Sequence, residues 1–568
     1  MKLLASWSWL AVAGLGRALD SDDEAYHKPG AGTVVKIPTG TVVGRAERGV
    51  ESFRGIPFAE PPLGPLRLKP PQRLRRNLGR IDATGIAAAC PQMAMSNLTD
   101  RMLSRLPVSG LTLPVVGTVV GQEDCLTVSV QRPAGTRPDA KLPVLVWIFG
   151  GGFEIGASNW YDSTTLLKSA AADGLPFIYV AINYRVGGFG FLPGAEVLKD
   201  GSANLGLLDQ RLALEWVADN VRHFGGDADK VTIWGQSAGS ISVTYQMVLY
   251  DGDANYKGRP LFRGAIMESG SITFVAPIDA PKAQAIYDTV VKSAGCAGDY
   301  DTLNCLRRTD YQTLLEATSS VPGIFSYNSL ALSYLPRPDG KVLTDRSDRL
   351  VERGRYHAVP MIIGDQEDEG TLFSLFQQSI KTDDDLVDYL STLYFQQASK
   401  KQVRELVDAY PSDYAGSPFR TGYANILYPN FKRIAALLGD FFFTLARRKF
   451  LELASKAKPH VPAWSYLASQ LYGNPYLGTY HGSELGLVFY DDTKPSSHLS
   501  SSIRRYLINF VYDLDPNKGK GGYAHWPMWR EKRTLMWFET FSSNSYLKDD
   551  FRSCAYAVIS KLRGVLVE

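Results

Sequence analysis

The chain has 568 residues, of which 45% are hydrophobic and 21% charged, with a formal net charge of +3. This is ordinary globular composition with enough apolar residues for a large core. The near-neutral balance argues against nucleic acid as a partner and against strong attraction to anionic lipid. The length exceeds that of one usual core, but no linker and no internal repeat divides the chain, so one domain over residues 19–568 is expected.

The N-terminus reads as a targeting segment. Met1-Lys2 is a short positive region, Leu3 to Leu15 an apolar one, and Gly16-Arg17-Ala18 a small-x-small cleavage site. The apolar run is too short to span a bilayer, and no later run reaches about 18 apolar residues. Residues 1–18 are therefore expected to be a signal peptide and the protein to be secreted and extracellular, with Asn97-Leu98-Thr99 its glycosylation sequon. Among the five cysteines, Cys296 and Cys305 would close a short loop and Cys90 and Cys125 a long one, leaving Cys554 odd. No Cys-x-x-Cys and no His pair has metal-ligand spacing.

Residues 33–50 alternate β-branched residues with glycine and suggest a small antiparallel meander. Phe53 to Gly64 is punctuated by proline and cannot be helix. Leu142 to Phe149 (LPVLVWIF) and Phe177 to Asn183 (FIYVAIN) are continuous apolar runs, as strands buried on both faces require. Leu205 to Val221 has helical apolar spacing, and Val231–Trp234, Gly264–Met267, Val359–Ile363 and Ala463–Leu467 continue the strand series. The alternation predicts an α/β fold, a mostly parallel sheet flanked by helices, with ligands at the carboxyl ends of its strands.

Three stretches carry chemistry. Val231 to Ser240 (VTIWGQSAGS) reads strand, Gly-x-Ser-x-Gly turn, then helix over 241–248, the context in which Ser237 would be an exposed nucleophile. Gly150-Gly151-Gly152 follows a buried strand and leaves backbone N–H groups uncovered, suited to an oxyanion, with the Ala238 N–H as a further donor. In this fold class the acid and then the histidine follow the serine along the chain. That order leaves His481, in a Gly-flanked loop after the Ala463–Leu467 strand, ahead of His498 and His525. The acid lies in Gly364 to Gly370, where Asp365, Asp368 and Glu369 all compete. A calcium loop is excluded there, because the twelfth position from Asp365 is Phe376.

These motifs, with FRGIPFAEPPLGPLRL (53–68), EDCLTVSV (123–130), WIFGGGFEIG (147–156), NYRVGGFGFL (183–192), LGLLDQRLALEWVADNVRHFGGD (205–227), SYLPRPDG (333–340), GDQEDEGTLF (364–373) and YHGSE (480–484), resemble the cholinesterase/type-B carboxylesterase family of α/β-hydrolases, and within it the fungal lipase and sterol esterase branch. The resemblance spans nearly the whole chain after residue 18. It implies Ser237 as nucleophile, Glu369 as acid, His481 as base and an oxyanion hole of Gly151, Gly152 and Ala238. It also implies disulfides Cys90–Cys125 and Cys296–Cys305, an Arg67–Glu123 ion pair, and a lid over about residues 91–124. Gln236 departs from the pattern, which usually has Glu before the nucleophile.

The expected activity is hydrolysis of carboxylic esters of long-chain fatty acids, triglycerides or steryl esters, through an acyl-enzyme with no cofactor and no metal. Phe325, Leu330, Leu332, Leu372, Phe373 and Phe376 would line an acyl tunnel, although each singly also suits a core. The lid stretch is rich in apolar residues, and Asn97 to Leu106 reads as a short amphipathic helix. The expected partner is therefore a lipid ester at an oil–water or micelle interface; a homodimer is compatible with the sequence. A general carboxylesterase on short soluble esters is the second reading. A non-catalytic adhesion relative is disfavoured by the intact triad and glycine run.

Overall fold

A computed structural model describes residues 32–93, 121–490, 497–519, 522–540 and 542–567. The proposed signal peptide, the Asn97 sequon and the central part of the lid, including its amphipathic segment, lie outside these residues.

One sheet of thirteen strands organises the described chain. Its strands are β1 (Thr33–Ile37), β2 (Gly40–Glu47), β3 (Val50–Pro57), β4 (Arg80–Asp82), β5 (Thr127–Pro133), β6 (Leu142–Ile148), β7 (Ile178–Ile182) and β8 (Gly226–Gln236). They continue as β9 (Gly264–Glu268), β10 (Met361–Gln366), β11 (Ala463–Ala468), β12 (Thr534–Phe538) and β13 (Ser545–Lys548). The spatial order is β1-β2-β3-β5-β7-β6-β8-β9-β10-β11-β12-β13, with β4 beside β2. From β7 to β12 every neighbouring pair is parallel. The pairs β1–β2, β2–β3, β3–β5, β5–β7 and β12–β13 are antiparallel. The meander expected over residues 33–50 is thus one end of a sheet whose centre is parallel.

The central strands are buried because helices flank the sheet. Val144 to Ile148 on β6 and Ile178 to Ile182 on β7 are at most 1% exposed. An uninterrupted apolar strand is stable only under such double cover. Helix α1 (Leu205–Asn220) packs against β8, as does α2 (Ala238–Val248), which also contacts β9; α3 (Phe431–Gly439) and α4 (Leu445–Ala457) frame a π-helical turn, Asp440–Thr444; α5 (His498–Asp513) packs on β6 and β8. Each predicted strand and the α1 helix is present within a few residues of its expected bounds.

Both expected disulfides are formed, Cys90–Cys125 with Cα atoms 5.0 Å apart and Cys296–Cys305 with Cα atoms 5.8 Å apart, while Cys554 is free and exposed. Beside the first bridge the Arg67 guanidinium donates to both Glu123 oxygens, at 2.5 and 2.6 Å. Its remaining amine donates to the carbonyls of Arg307 and Thr309. The pair therefore ties the base of the lid stretch to the segment after the second bridge. Breaking one side of so buried a pair strands the other charge, which costs about 3–5 kcal/mol. Glu123→Ala is expected to lower unfolding free energy by that order in a denaturant titration. A loss below about 1 kcal/mol would show the pair behaving like an exposed bridge.

Candidate active site

Ser237 sits at the carboxyl end of β8 with φ 58° and ψ −127°, a conformation costly for any residue with a Cβ. Close packing enforces it. A Cβ on Gly235 would collide with the backbone of Gly239, and one on Gly239 would collide with the carbonyl of Ile148. The Gly-x-Ser-x-Gly pattern is therefore a steric requirement of passing directly from β8 into α2. The serine N–H donates to the Glu268 carbonyl at 2.8 Å and its carbonyl accepts from Ile241 N–H at 2.9 Å, which pins both sides of the turn. Ala238 opens α2, so its N–H has no carbonyl within the helix to bond.

The glycine run after β6 lies against this turn. A Cβ on Gly150 would stand 2.8 Å from the Ser237 Cβ, and one on Gly152 would stand 2.7 Å from Ile324 Cδ1. Gly151 and Gly152 have φ of 120° and 64°, the region that favours glycine. Gly152, Ser237 and Ala238 border one cavity. Backbone donors close to a nucleophile in a site with little water can hold an oxyanion.

The residues expected to be acid and base reach the site from neighbouring strands. Beyond β10 and β11 the parallel pairing resumes in a single bridge between Asp368 and Tyr480. The next residues along each chain, Glu369 and His481, come side by side, with His481 Nδ1 2.5 Å from Glu369 Oε2. The other Glu369 oxygen accepts from Gln366 N–H at 2.7 Å. The competing carboxylates have other partners. Asp365 accepts from Arg447 at 2.7 Å. Asp368 accepts from Ser417 at 2.8 Å and from the Phe419 and Thr479 N–H groups, both at 2.9 Å, so it clamps the His481 loop to the end of β10. Glu367 pairs with Arg420 at 2.9 Å. Of the two rival histidines, His498 begins α5 with its ring against Tyr523, and the His525 carbonyl accepts from Tyr546.

With Nδ1–H donating to Glu369, Nε2 of His481 is left as an acceptor. The Gln236 side-chain amide lies 3.3 Å from it. The imidazole is held between the rings of Phe373 and Phe443, at centroid distances of 5.0 and 4.7 Å. Burial lowers the His481 pKa below the ordinary imidazole value and raises that of Glu369 above the ordinary carboxylate value. Loss of water penalises the charged form of either group.

The cavity beside Ser237 measures about 40 Å³ and is almost wholly apolar. Leu330, Leu332 and Phe373 from the expected acyl set line it, joined by Ile241, Leu335, Phe442 and Phe443. Phe325, Leu372 and Phe376 are buried but are not among its lining residues. Phe442 and Phe443 lie on the π-helical turn, whose extra residue re-aims both rings; Asp440 at its start accepts from Tyr410 at 2.9 Å. The sequence signal for them was the Phe441–Phe443 run, which by itself reads as core.

The profile described as the carboxylesterase family matches residues 31–554. The chain belongs to the carboxylesterase family. It is 59% identical to a secreted triacylglycerol lipase of Gibberella zeae over 96% of this chain and 92% of that protein. It is 44% identical to lipase 4 of Diutina rugosa, over 89% of this chain and 91% of that one. Its fold is that of EstA of Aspergillus niger, with a TM-score of 0.78 at 25% identity, covering 94% of this chain and 99% of that one. The protein is a carboxylic ester hydrolase of the α/β-hydrolase fold.

In a carboxylesterase the base must be neutral to act, so activity falls below the pKa of its imidazole. Because burial depresses that of His481, kcat/KM for a soluble ester is expected to hold through the ordinary imidazole value of 6.5 and to decline only at lower pH. A pH–rate profile with its acid limb at or above 6.5 would contradict the desolvated ring.

Proposed function

We propose that this carboxylesterase is a secreted lipase in which Ser237 is the nucleophile, His481 the general base and Glu369 the residue that orients and stabilises the imidazolium. The reading rests above all on the Glu369–His481 hydrogen bond of 2.5 Å beside the strained Ser237 turn. His481 Nε2 takes the serine proton as the hydroxyl attacks the ester carbonyl. The N–H groups of Gly151, Gly152 and Ala238 receive the oxyanion. Protonation of the leaving oxygen by His481 releases the alcohol, and water deprotonated by the same ring then frees the acid. No step needs a metal or an organic cofactor. The domain we propose runs from 19 to 568 as one unit behind a cleaved signal peptide, since a single sheet holds strands from β1 through β13.

Long-chain acyl esters are the substrates favoured by the apolar slot and by the relatives named as lipases. The lid stretch would expose its apolar face at a lipid surface, so the working partner is a lipid ester interface. Side-by-side rates on a soluble butyrate, a triolein emulsion and a cholesteryl ester separate this from the short-ester reading, which predicts preference for the butyrate. Serine at Met102, Leu103 and Leu106 together is expected to depress emulsion hydrolysis at least several-fold more than butyrate hydrolysis. Equal losses on both would make the stretch simple packing.

The role assignments carry their own test. Ser237→Ala should lower kcat by several orders of magnitude while leaving folding intact, with a residual rate of roughly 10³ over water from the oxyanion donors. Glu369→Gln should follow it closely in severity. An organophosphate that labels a different serine would sink the nucleophile assignment.

A further inference from the structure

Behind the site lies a second group of ionisable side chains that the mechanism above does not use. Glu268, the last residue of β9, and Glu484, three residues after His481, both line a small cavity of about 20 Å³, room for a single water. Its other walls include Ile362, Tyr466, Leu507 and Trp526. Glu268 is 2% exposed and Glu484 3%. Neither oxygen of Glu484 nor Oε2 of Glu268 makes a hydrogen bond among the described residues, although the Trp234 indole and the N–H of Glu484 itself lie beside them.

Among the described residues, none of those lining the cavity carries a positive charge. Facing His481 and this cavity are Glu369 and Asp365 from the end of β10, Glu268 from β9, the neutral Gln236 from β8 and the phenols of Tyr466 and Tyr506. Burial keeps both phenols neutral, raising Tyr466 well above its ordinary range and Tyr506 to about 12. Arg447, on α4, is committed to Asp365 at 2.7 Å and to Asp549 at 2.8 and 2.9 Å. Two carboxylates lining one small, largely apolar cavity cannot both ionise at modest cost. Burial, reinforced by neighbouring carboxylates, raises both Glu268 and Glu484 above the usual carboxylate range.

We propose that Glu268 and Glu484 hold one proton between them, directly or through one water, and so place a single buried negative charge behind His481 as a positioning pair for the general base. This rests on His481 being the base. The charge is hidden from solvent and therefore weakly screened by salt. It stabilises the imidazolium formed when Ser237 loses its proton, alongside the charge of Glu369.

A glutamine beside a carboxylate has the shape and charge of a carboxylic acid beside a carboxylate. Glu268→Gln and Glu484→Gln, made singly, are therefore each expected to move the acid limb of kcat/KM on a soluble ester by only a few tenths of a pH unit. The double variant removes the charge. Its acid limb should move down by about one pH unit, and kcat should fall by up to about tenfold. Infrared difference spectra of parent minus each single variant should contain the carbonyl stretch of a buried protonated carboxyl, a readout that does not depend on catalysis. Single variants that each shift the limb as much as half of the double would mean two independent carboxylates, and the shared proton would be wrong. A double variant with an unchanged profile would mean a neutral pair and would equally overturn it. Thermal melts of all three variants identify any that misfold, in which case the infrared band of the remaining variants decides. His481→Asn that retains activity would instead refute the base assignment, leaving the infrared result to judge the pair.

Discussion

The site depends on how closely three pieces of backbone approach one another at the ends of β6 and β8. The Gly239 backbone lies so near the Ile148 carbonyl, and Gly150 so near Ser237, that no side chain fits between them. This approach forces the serine into its strained conformation and sets the glycine run within reach of the same point. Strain of this kind costs of order 1–3 kcal/mol and persists only where the surroundings overdetermine it. Here the buried carboxyl-terminal parts of β6 and β8, with the Ser237 N–H held by the Glu268 carbonyl on β9, supply that determination.

The same logic of adjacent strand ends assembles the remainder. Parallel strands deliver their carboxyl ends to one edge of the sheet, so β6, β8, β10 and β11 bring the glycine run, Ser237, Glu369 and His481 together from positions more than three hundred residues apart. The Asp368–Tyr480 bridge sets the register of the last two. Asp368 is thus a structural carboxylate whose hydrogen bonds hold its neighbour against the histidine.

Much of this was legible in the sequence, for physical reasons. Residues 142–149 could be read as a doubly covered strand because eight consecutive apolar positions suit such a strand in a chain of ordinary composition, and Gly-x-Ser-x-Gly because its glycines are sterically obligatory. The choice among Asp365, Asp368 and Glu369 was not legible from the residues themselves. It depends on which carboxylate meets Arg447, which meets Thr479 and which meets His481, and those partners lie roughly eighty to one hundred and ten positions away. The cavity beside Ser237 was only half legible for a similar reason. Leu330, Leu332 and Phe373 were open to the reading, whereas Phe442 and Phe443 reach the cavity through a π-helical turn that composition does not reveal.

The departure at Gln236 takes on meaning in this setting. The space around His481 already holds Glu369, Asp365, Glu268 and Glu484, all at most 3% exposed, while the Arg447 guanidinium is shared with Asp549. A carboxylate at position 236 would stand where the amide now lies 3.3 Å from Nε2, adding another charge to a region short of cations. It would take up a proton or draw one onto the imidazole, and in the second case the ring could not accept the serine's proton. An amide avoids both outcomes, because it offers a neutral N–H to the resting Nε2 and can turn its oxygen toward the N–H formed after proton transfer. On the proposed roles of Ser237 and His481, the neutral residue beside the serine and the buried acids behind the histidine are parts of one electrostatic arrangement: negative charge is kept close enough to stabilise the imidazolium and away from the nitrogen that must first accept a proton.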